Sequence, residues 1–202
     1  IIGGNYEDSN GVTHGFLRNG AGKFKVIDYS GSGDIFFYGI NEKNELVGGY
    51  EGPSNIDHGL YRDADGALAS FDADAPNSTM SQSVNNAGTI TGAAYNFDDT
   101  YTGWVWVAGG SIVLFNAPGA GTDEFQGTQP LSINTKGEIT GYYTDSNTRD
   151  HAFLRKADGT IHRIDPANSN STVGRGINAK GVIAGYYLNS TDNRIHGFFW
   201  SP

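Results

Sequence analysis

Gly176 to Phe199 reads GINAKGVIAGYYLNSTDNRIHGFF, and most of the chain is this stretch written again. Gly39 to Leu60 reads GINEKNELVGGYEGPSNIDHGL, and Ser132 to Phe153 reads SINTKGEITGYYTDSNTRDHAF. Self-similarity at a fixed period identifies a repeat architecture before any residue is given a role.

Five anchors recur in order. A small-residue strand lies around Gly3, Gly48, Gly92, Gly141 and Gly185, in steps of 45, 44, 49 and 44. A His-Gly-aromatic strand follows at His14, His58, His151 and His196, and the third copy replaces it with Thr102-Gly103-Trp104. Next comes a turn with Gly22, Gly66, Gly110 or Gly159, then a strand ending in Asp28, Asp72, Asn116 or Asp165. The last strand ends in Asn41, Asn85, Asn134 or Asn178. Each unit therefore carries four short strands, and no segment holds the 3.6-residue period of a helix.

The expectation is one all-β domain over 1–202, a β-propeller of five blades, with a solenoid-like assembly as the lesser option. The units fall at about 1–45, 46–89, 90–138 and 139–182, four full repeats of about 44–49 residues, followed by a half unit at 183–202. Read this way, the half unit is one hairpin from Val182 to Trp200 that wants two more strands. Ser30 to Asp34 reads as a loop, and the stretch Ala117 to Gln129 as an insertion of about five residues.

Composition narrows the function classes. The chain has 202 residues, enough for a sizeable core, with 30 glycines, 11 Tyr, 11 Phe and 3 Trp. Only 13 residues are basic and the net charge is −9, so a nucleic-acid partner is not expected, since phosphate binding needs a basic face. No apolar run is long enough to cross a bilayer. There is no cysteine, which removes disulfides and thiolate metal sites. The start at Ile1, without Met, reads as a processed or trimmed end.

The residues able to carry chemistry are mostly repeated. His14, His58, His151 and His196 occupy one column, and ligands for a single metal ion would have to converge instead. They are expected to make structural hydrogen bonds, as are Asp28, Asp72 and Asp165. Asn116 in the same column fits an acceptor rather than a proton donor. Asp8-Ser9-Asn10 and Asp145-Ser146-Asn147 are fragments of a calcium loop without its ligand series, so no cofactor is expected, calcium being the one metal the pattern suits. A glycosidase needs two or three carboxylates in one pocket, and nothing links Asp34, Asp98, Asp99, Asp123 and Glu124. Tyr6, Tyr50, Tyr95, Tyr143 and Tyr187 close the first strand of each copy and read as packing between blades. Where the symmetry breaks, Tyr101, Trp104 and Trp106 beside the insertion with Asp123 and Glu124 form the candidate ligand site, suited to a sugar ring.

The His-Gly-Phe-Leu at 14–17 and His-Ala-Phe-Leu at 151–154, with Ile-Asp and Gly-Ile-Asn downstream, resemble the HAF repeats of extracellular bacterial proteins. The resemblance covers nearly the whole chain, and it implies secretion and a propeller-like fold but no activity. The expected function is a secreted, non-enzymatic structural or interaction module that self-associates through an incomplete blade. Alternatives are a lectin-like carbohydrate binder with a glycan partner and, behind it, an enzyme acting on polysaccharide.

Overall fold

The computed structural model describes residues 1–30, 33–52, 56–74, 77–107 and 109–202, so the loop read at Ser30–Asp34 lies partly outside the described residues. Within them the chain is all β, with eighteen strands and no helix. The first sheet is a meander of β1 (Ile2–Glu7), β2 (Thr13–Arg18) and β3 (Phe24–Ile27). The second holds β4 (Ile35–Ile40), β5 (Leu46–Glu51), β6 (Asp57–Arg62) and β7 (Leu68–Phe71). Two further four-stranded meanders follow: β8 (Ser78–Val84), β9 (Thr89–Tyr95), β10 (Tyr101–Val107) and β11 (Ile112–Phe115), then β12 (Gly127–Ile133), β13 (Ile139–Thr144), β14 (Asp150–Arg155) and β15 (Ile161–Ile164). A single parallel bridge between Tyr101 and Gly127 joins these two into one eight-stranded sheet. The chain ends in β16 (Ser169–Ile177), β17 (Ile183–Asn189) and β18 (Ile195–Trp200).

The sequence unit and the sheet are out of phase by one strand. The strand that ends each unit pairs with the strands after it, because the short Asn turn closes a hairpin, as in Ile40 opposite Leu46. The longer link from β3 to β4 closes none. The final hairpin is therefore the outer part of a three-stranded sheet, with β16 beside β17. The two strands that complete the repeat fall on two different sheets: an inner strand beside β1 and an outer strand beside β18. The first and last sheets are not paired to each other.

Strands β4, β8, β12 and β16 stand next to one another in succession, each the first and inner strand of its meander. The core is correspondingly a set of layers between successive sheets. Ile27, Ile35, Phe37, Leu46 and Leu60 fill the first gap, and Val47, Val84, Ile90, Ala94 and Trp104 the second. Ala117, Ile133, Ile139, Tyr143 and Phe153 fill the third, and Ala152, Leu154, Ile164 and Ile183 the fourth. Each fully buried Val, Leu, Ile or Phe side chain in these layers contributes about 1.5–3 kcal/mol on leaving water.

Each inner strand carries a β-bulge, between Phe37 and Gly39, Ser81 and Ser83, Pro130 and Ser132, and Gly174 and Gly176. The bulge drives a carbonyl at the repeat glycine on the next strand. A Cβ at Gly48, Gly92, Gly141 or Gly185 would lie 1.7, 1.9, 2.1 or 2.0 Å from the carbonyl oxygen of Phe36, Met80, Gln129 or Val173. No side chain fits there. The first sheet lacks the inner strand, and its register places Gly4 opposite Phe16, matching Gly48 opposite Leu60. Gly4, rather than Gly3, is thus the repeat glycine.

Candidate functional site

The repeated histidines stand near the start of β2, β6, β14 and β18, each the strand after the one that carries the repeat glycine, and Asp28, Asp72 and Asp165 stand just beyond the end of the outer strands β3, β7 and β15. His14 Nδ1 lies 2.6 Å from Asp28 Oδ1, His58 Nδ1 2.7 Å from Asp72 Oδ1, and His151 Nδ1 2.9 Å from Asp165 Oδ2. A carboxylate only accepts, so Nδ1–H is the donor in each pair. The other side of each ring is covered by the repeat tyrosine: Tyr6 and Tyr50 each lie 5.2 Å from their histidine, and Tyr143 5.0 Å. The unit is a clip that ties the end of the outer strand to its neighbour. The hydrogen bond to Asp28 raises the pKa of His14 from its usual value, against an opposing desolvation, and Asp8 adds to the rise. The tyrosines Tyr6, Tyr50, Tyr143 and Tyr187 thus stack on a histidine of their own sheet rather than between blades.

The third copy breaks the clip. Register places Ala94 opposite Thr102, where the other copies have tyrosine opposite histidine. Tyr95 is one residue past the column and packs on Tyr101 at 5.0 Å. Asn96 Nδ2 donates to Thr102 Oγ1 at 3.1 Å.

Of the residues singled out around the insertion, the structure brings only some together. Tyr101 N–H donates to the carbonyl of Gln126 at 2.8 Å, which ties β10 to the loop carrying the exposed Asp123 and Glu124. Burial raises the phenol of Tyr101, with Asp99 adding to it. Trp104 and Trp106 lie elsewhere. Trp104 is fully buried and meets Phe71 edge-on at 5.6 Å, and Trp106 leans on Phe71 at 4.6 Å. Trp104 stands in the register of Leu60 and Phe153, which are core positions, and so offers no face to a ligand. The two calcium-loop fragments are turn caps: Asp8 Oδ1 accepts from the N–H of Asn10 and Val12, and Asp145 Oδ1 from Asn147 and Arg149.

Two cavities merit description. The larger, about 510 Å³, opens at one end of the inner strands, where Ile40, Val84, Ile133 and Ile177 stand beside the asparagine turns. Those asparagines are already committed. Each Oδ1 accepts two backbone N–H groups of its own turn, as Asn85 does from Ala87 and Thr89. Each of the first three Nδ2 groups donates to the carbonyl of the next asparagine in the series, 2.9 to 3.0 Å away.

The second cavity, about 350 Å³, lies at the clip of the fourth copy. It is lined by Tyr143, His151, Asp145, Ser146, Ile161 and Arg163 together with Pro118 and Gly119 from the insertion. Here the clip carries extra parts. Asp145 Oδ2 lies 3.2 Å from His151 Nε2, and Arg163 Nε donates to Asp165 Oδ2. Burial would raise the Asp145 carboxyl, but hydrogen bonds from Arg149, His151 and Asn147 outweigh it and hold the pKa down at about 2. The clip is also sunk: the Asp165 side chain is 17% exposed, against 63% for Asp28. Both ring nitrogens of His151 thus face carboxylates. Sequence reasoning missed Asp145 and Arg163 as partners of this clip. The signal was present in Arg163, which stands where the other outer strands have Val26, Ser70 and Leu114.

No family model matches the chain, and no curated protein is similar to it. Among solved structures, a protein of Agrobacterium tumefaciens described as TolB superposes with a TM-score of 0.64. The match covers 100% of this chain and 77% of the other at 8% sequence identity. At that identity the likeness is one of fold alone, a TolB-like propeller arrangement of sheets.

Proposed function

We propose that the chain is a non-enzymatic interaction module, a propeller of five blades acting outside the cell as its resemblance to the HAF repeats implies. In this reading its open sheets are completed by strands of the same repeat on a second copy. The observation that supports this is His196. Its ring stacks on Tyr187 at 5.6 Å like the other clip histidines, yet no outer strand lies beside β18 to bring it an aspartate. Its Nε2 lies 2.9 Å from Asp192 Oδ2, as that of His151 faces Asp145, and its Nδ1 lacks the aspartate that the other copies supply. The strand it stands on is an open edge, with Ile195 71% and Phe199 84% exposed.

The repeat specifies the occupant. In the fourth copy Ile161, His162, Arg163 and Ile164 lie opposite Arg155, Leu154, Phe153 and Ala152, and Asp165 follows. The incoming strand therefore runs antiparallel against Trp200, Phe199, Phe198 and Gly197 with the pattern apolar-x-x-apolar-Asp, and its aspartate meets Nδ1 of His196. Main-chain pairing supplies the affinity and the aspartate fixes the register.

The test is static light scattering of the chain over a concentration series, with and without a synthetic peptide of residues 160–166. Assembly that grows with concentration and is dissolved by the peptide, but not by its Asp165→Asn version, is the expected result. A particle that stays monomeric and ignores the peptide overturns the proposal.

A further inference from the structure

The fourth clip is more than the repeat needs. In the second copy one histidine, one aspartate and one tyrosine tie the outer strand down, and in the first Asp8 also stands 3.6 Å from His14 Nε2. The fourth copy draws the second carboxylate in to 3.2 Å and adds a guanidinium and a wall from a loop that no other copy has, and these residues line the 350 Å³ cavity. Additions that break an otherwise regular repeat, all at one point, call for a local reason beyond holding the strand.

The walls define the chemistry of an occupant. Asp145 stays ionised, since its pKa sits at about 2, and presents an acceptor edge. The Ser146 hydroxyl both donates and accepts. The Arg163 side chain is 58% exposed, with its Nε turned to Asp165 and terminal donors beyond the contact it makes to Tyr143. Pro118 and Ile161 supply apolar wall. Opposite charges stand side by side, so a net cation or a net anion meets a repelling group as well as an attracting one. A neutral ring with hydroxyls on its edge and C–H groups on its face meets none. At about 350 Å³ the space lies at the small end of ligand sites.

We propose that this cavity binds a neutral sugar of one or two rings, held by Asp145, Ser146 and Arg163 at its hydroxyls and by Pro118 and Ile161 at its face. This site is separate from the open edge of β18 and independent of whether strands add there. It also replaces a row of repeated aromatic sites with one asymmetric site.

A glycan array of neutral and acidic sugars identifies the ligand, and a two-dimensional NMR titration with the strongest neutral mono- or disaccharide locates it. Saturable shifts at Gly119, Ser146 and Arg163, with none at the equivalent His58 clip, are expected. Arg163→Leu and Ser146→Ala change lining residues and should each weaken binding by roughly tenfold, the worth of one good polar contact, while leaving the rest of the spectrum in place. The proposal is overturned if no neutral sugar on the array binds the folded chain, if only acidic sugars bind, or if both variants bind as the parent does.

Discussion

Asn85 Nδ2 donates to the backbone carbonyl of Asn134 at 2.9 Å, a contact that spans 49 residues and joins the inner hairpins of two successive sheets. The same side chain caps its own turn through Oδ1, which accepts from the N–H of Ala87 and Thr89 at 3.0 Å each. One carboxamide thus shapes a turn and ties it to the next.

Substitution can separate the two roles. Asn85→Asp keeps the acceptor and removes the donor, and Asn85→Ala removes both. Asn85 is 5% exposed, so a carbonyl left without its donor is not readily rescued by water. We expect Asn85→Asp to cost about 1–3 kcal/mol, the range for a buried partner left unsatisfied, and Asn85→Ala to cost more. Urea unfolding read by the near-ultraviolet signal of the buried Trp104 checks both.

The repeat glycine gives a steeper result. A Cβ at Gly141 would lie 2.1 Å from the carbonyl oxygen of Gln129, which is backbone on a bulged strand and has nowhere to go. Gly141→Ala should therefore cost about 3 kcal/mol, the upper end for overpacking. Gly176→Ala is the control, because nothing lies within 4 Å of its Cβ position, and it should fall within about 0.5 kcal/mol of the parent. Thermal unfolding of the pair decides. Equal losses would mean that the bulge carbonyl does not impose the glycine.

This close approach also explains which parts of the fold were legible. The columns of His, Asp and Asn could be read because they recur at a fixed spacing, and His14, His58 and His151 make the same local bond. The phase of the sheets could not, since nothing in the spacing says whether the last strand of a unit pairs forward or back; that depends on the hairpin closed by the Asn turn. Gly3 and Gly4 are equivalent by composition, and only the register against Phe16 separates them. Trp104 is a different case. It occupies the column of Leu60 and Phe153 and could have been read as core from those two residues alone. Of the site at His151, the histidine and Asp165 were legible only as separate structural positions, the aspartate as a cap on its own turn; their pairing, the approach of Asp145 from a turn and that of Pro118 from the insertion depend on how the chain folds back.

Protonation tests the clip. The pKa of His14 is raised above its usual value of 6.5, chiefly by the hydrogen bond to Asp28. A group whose folded pKa is raised binds its proton more tightly in the folded state. Its contribution is then fully present below the unfolded pKa and is lost as the pH rises through the raised value. Stability should therefore fall on the alkaline side of about 6.5 by a step that Asp28→Asn removes. Asp145 behaves in the opposite sense: its contribution is present above its usual value of 3.8 and is lost as the pH falls toward about 2. Urea midpoints measured across this range for the parent, Asp28→Asn and Asp145→Asn report each step separately. An unchanged alkaline step in Asp28→Asn would remove His14 as its source.

The sharpest contrast lies between two histidines with the same stacked tyrosine. His58 is engaged, with Nδ1 2.7 Å from Asp72 and its outer strand in place. His196 has the stack and the third strand but no outer strand beside it. His58→Ala should lower stability by about 1–2 kcal/mol, the worth of a charge-assisted hydrogen bond at a half-buried site. His196→Ala should leave the isolated chain within about 0.5 kcal/mol of the parent, because its only ion pair is with the exposed Asp192. Its cost should appear on adding the peptide of residues 160–166, whose affinity should fall severalfold while the unfolding midpoint of the free chain stays put. Equal destabilisation of the free chain by both substitutions would mean that His196 is already fully used within its own sheet, and that the edge of β18 holds no place for an aspartate.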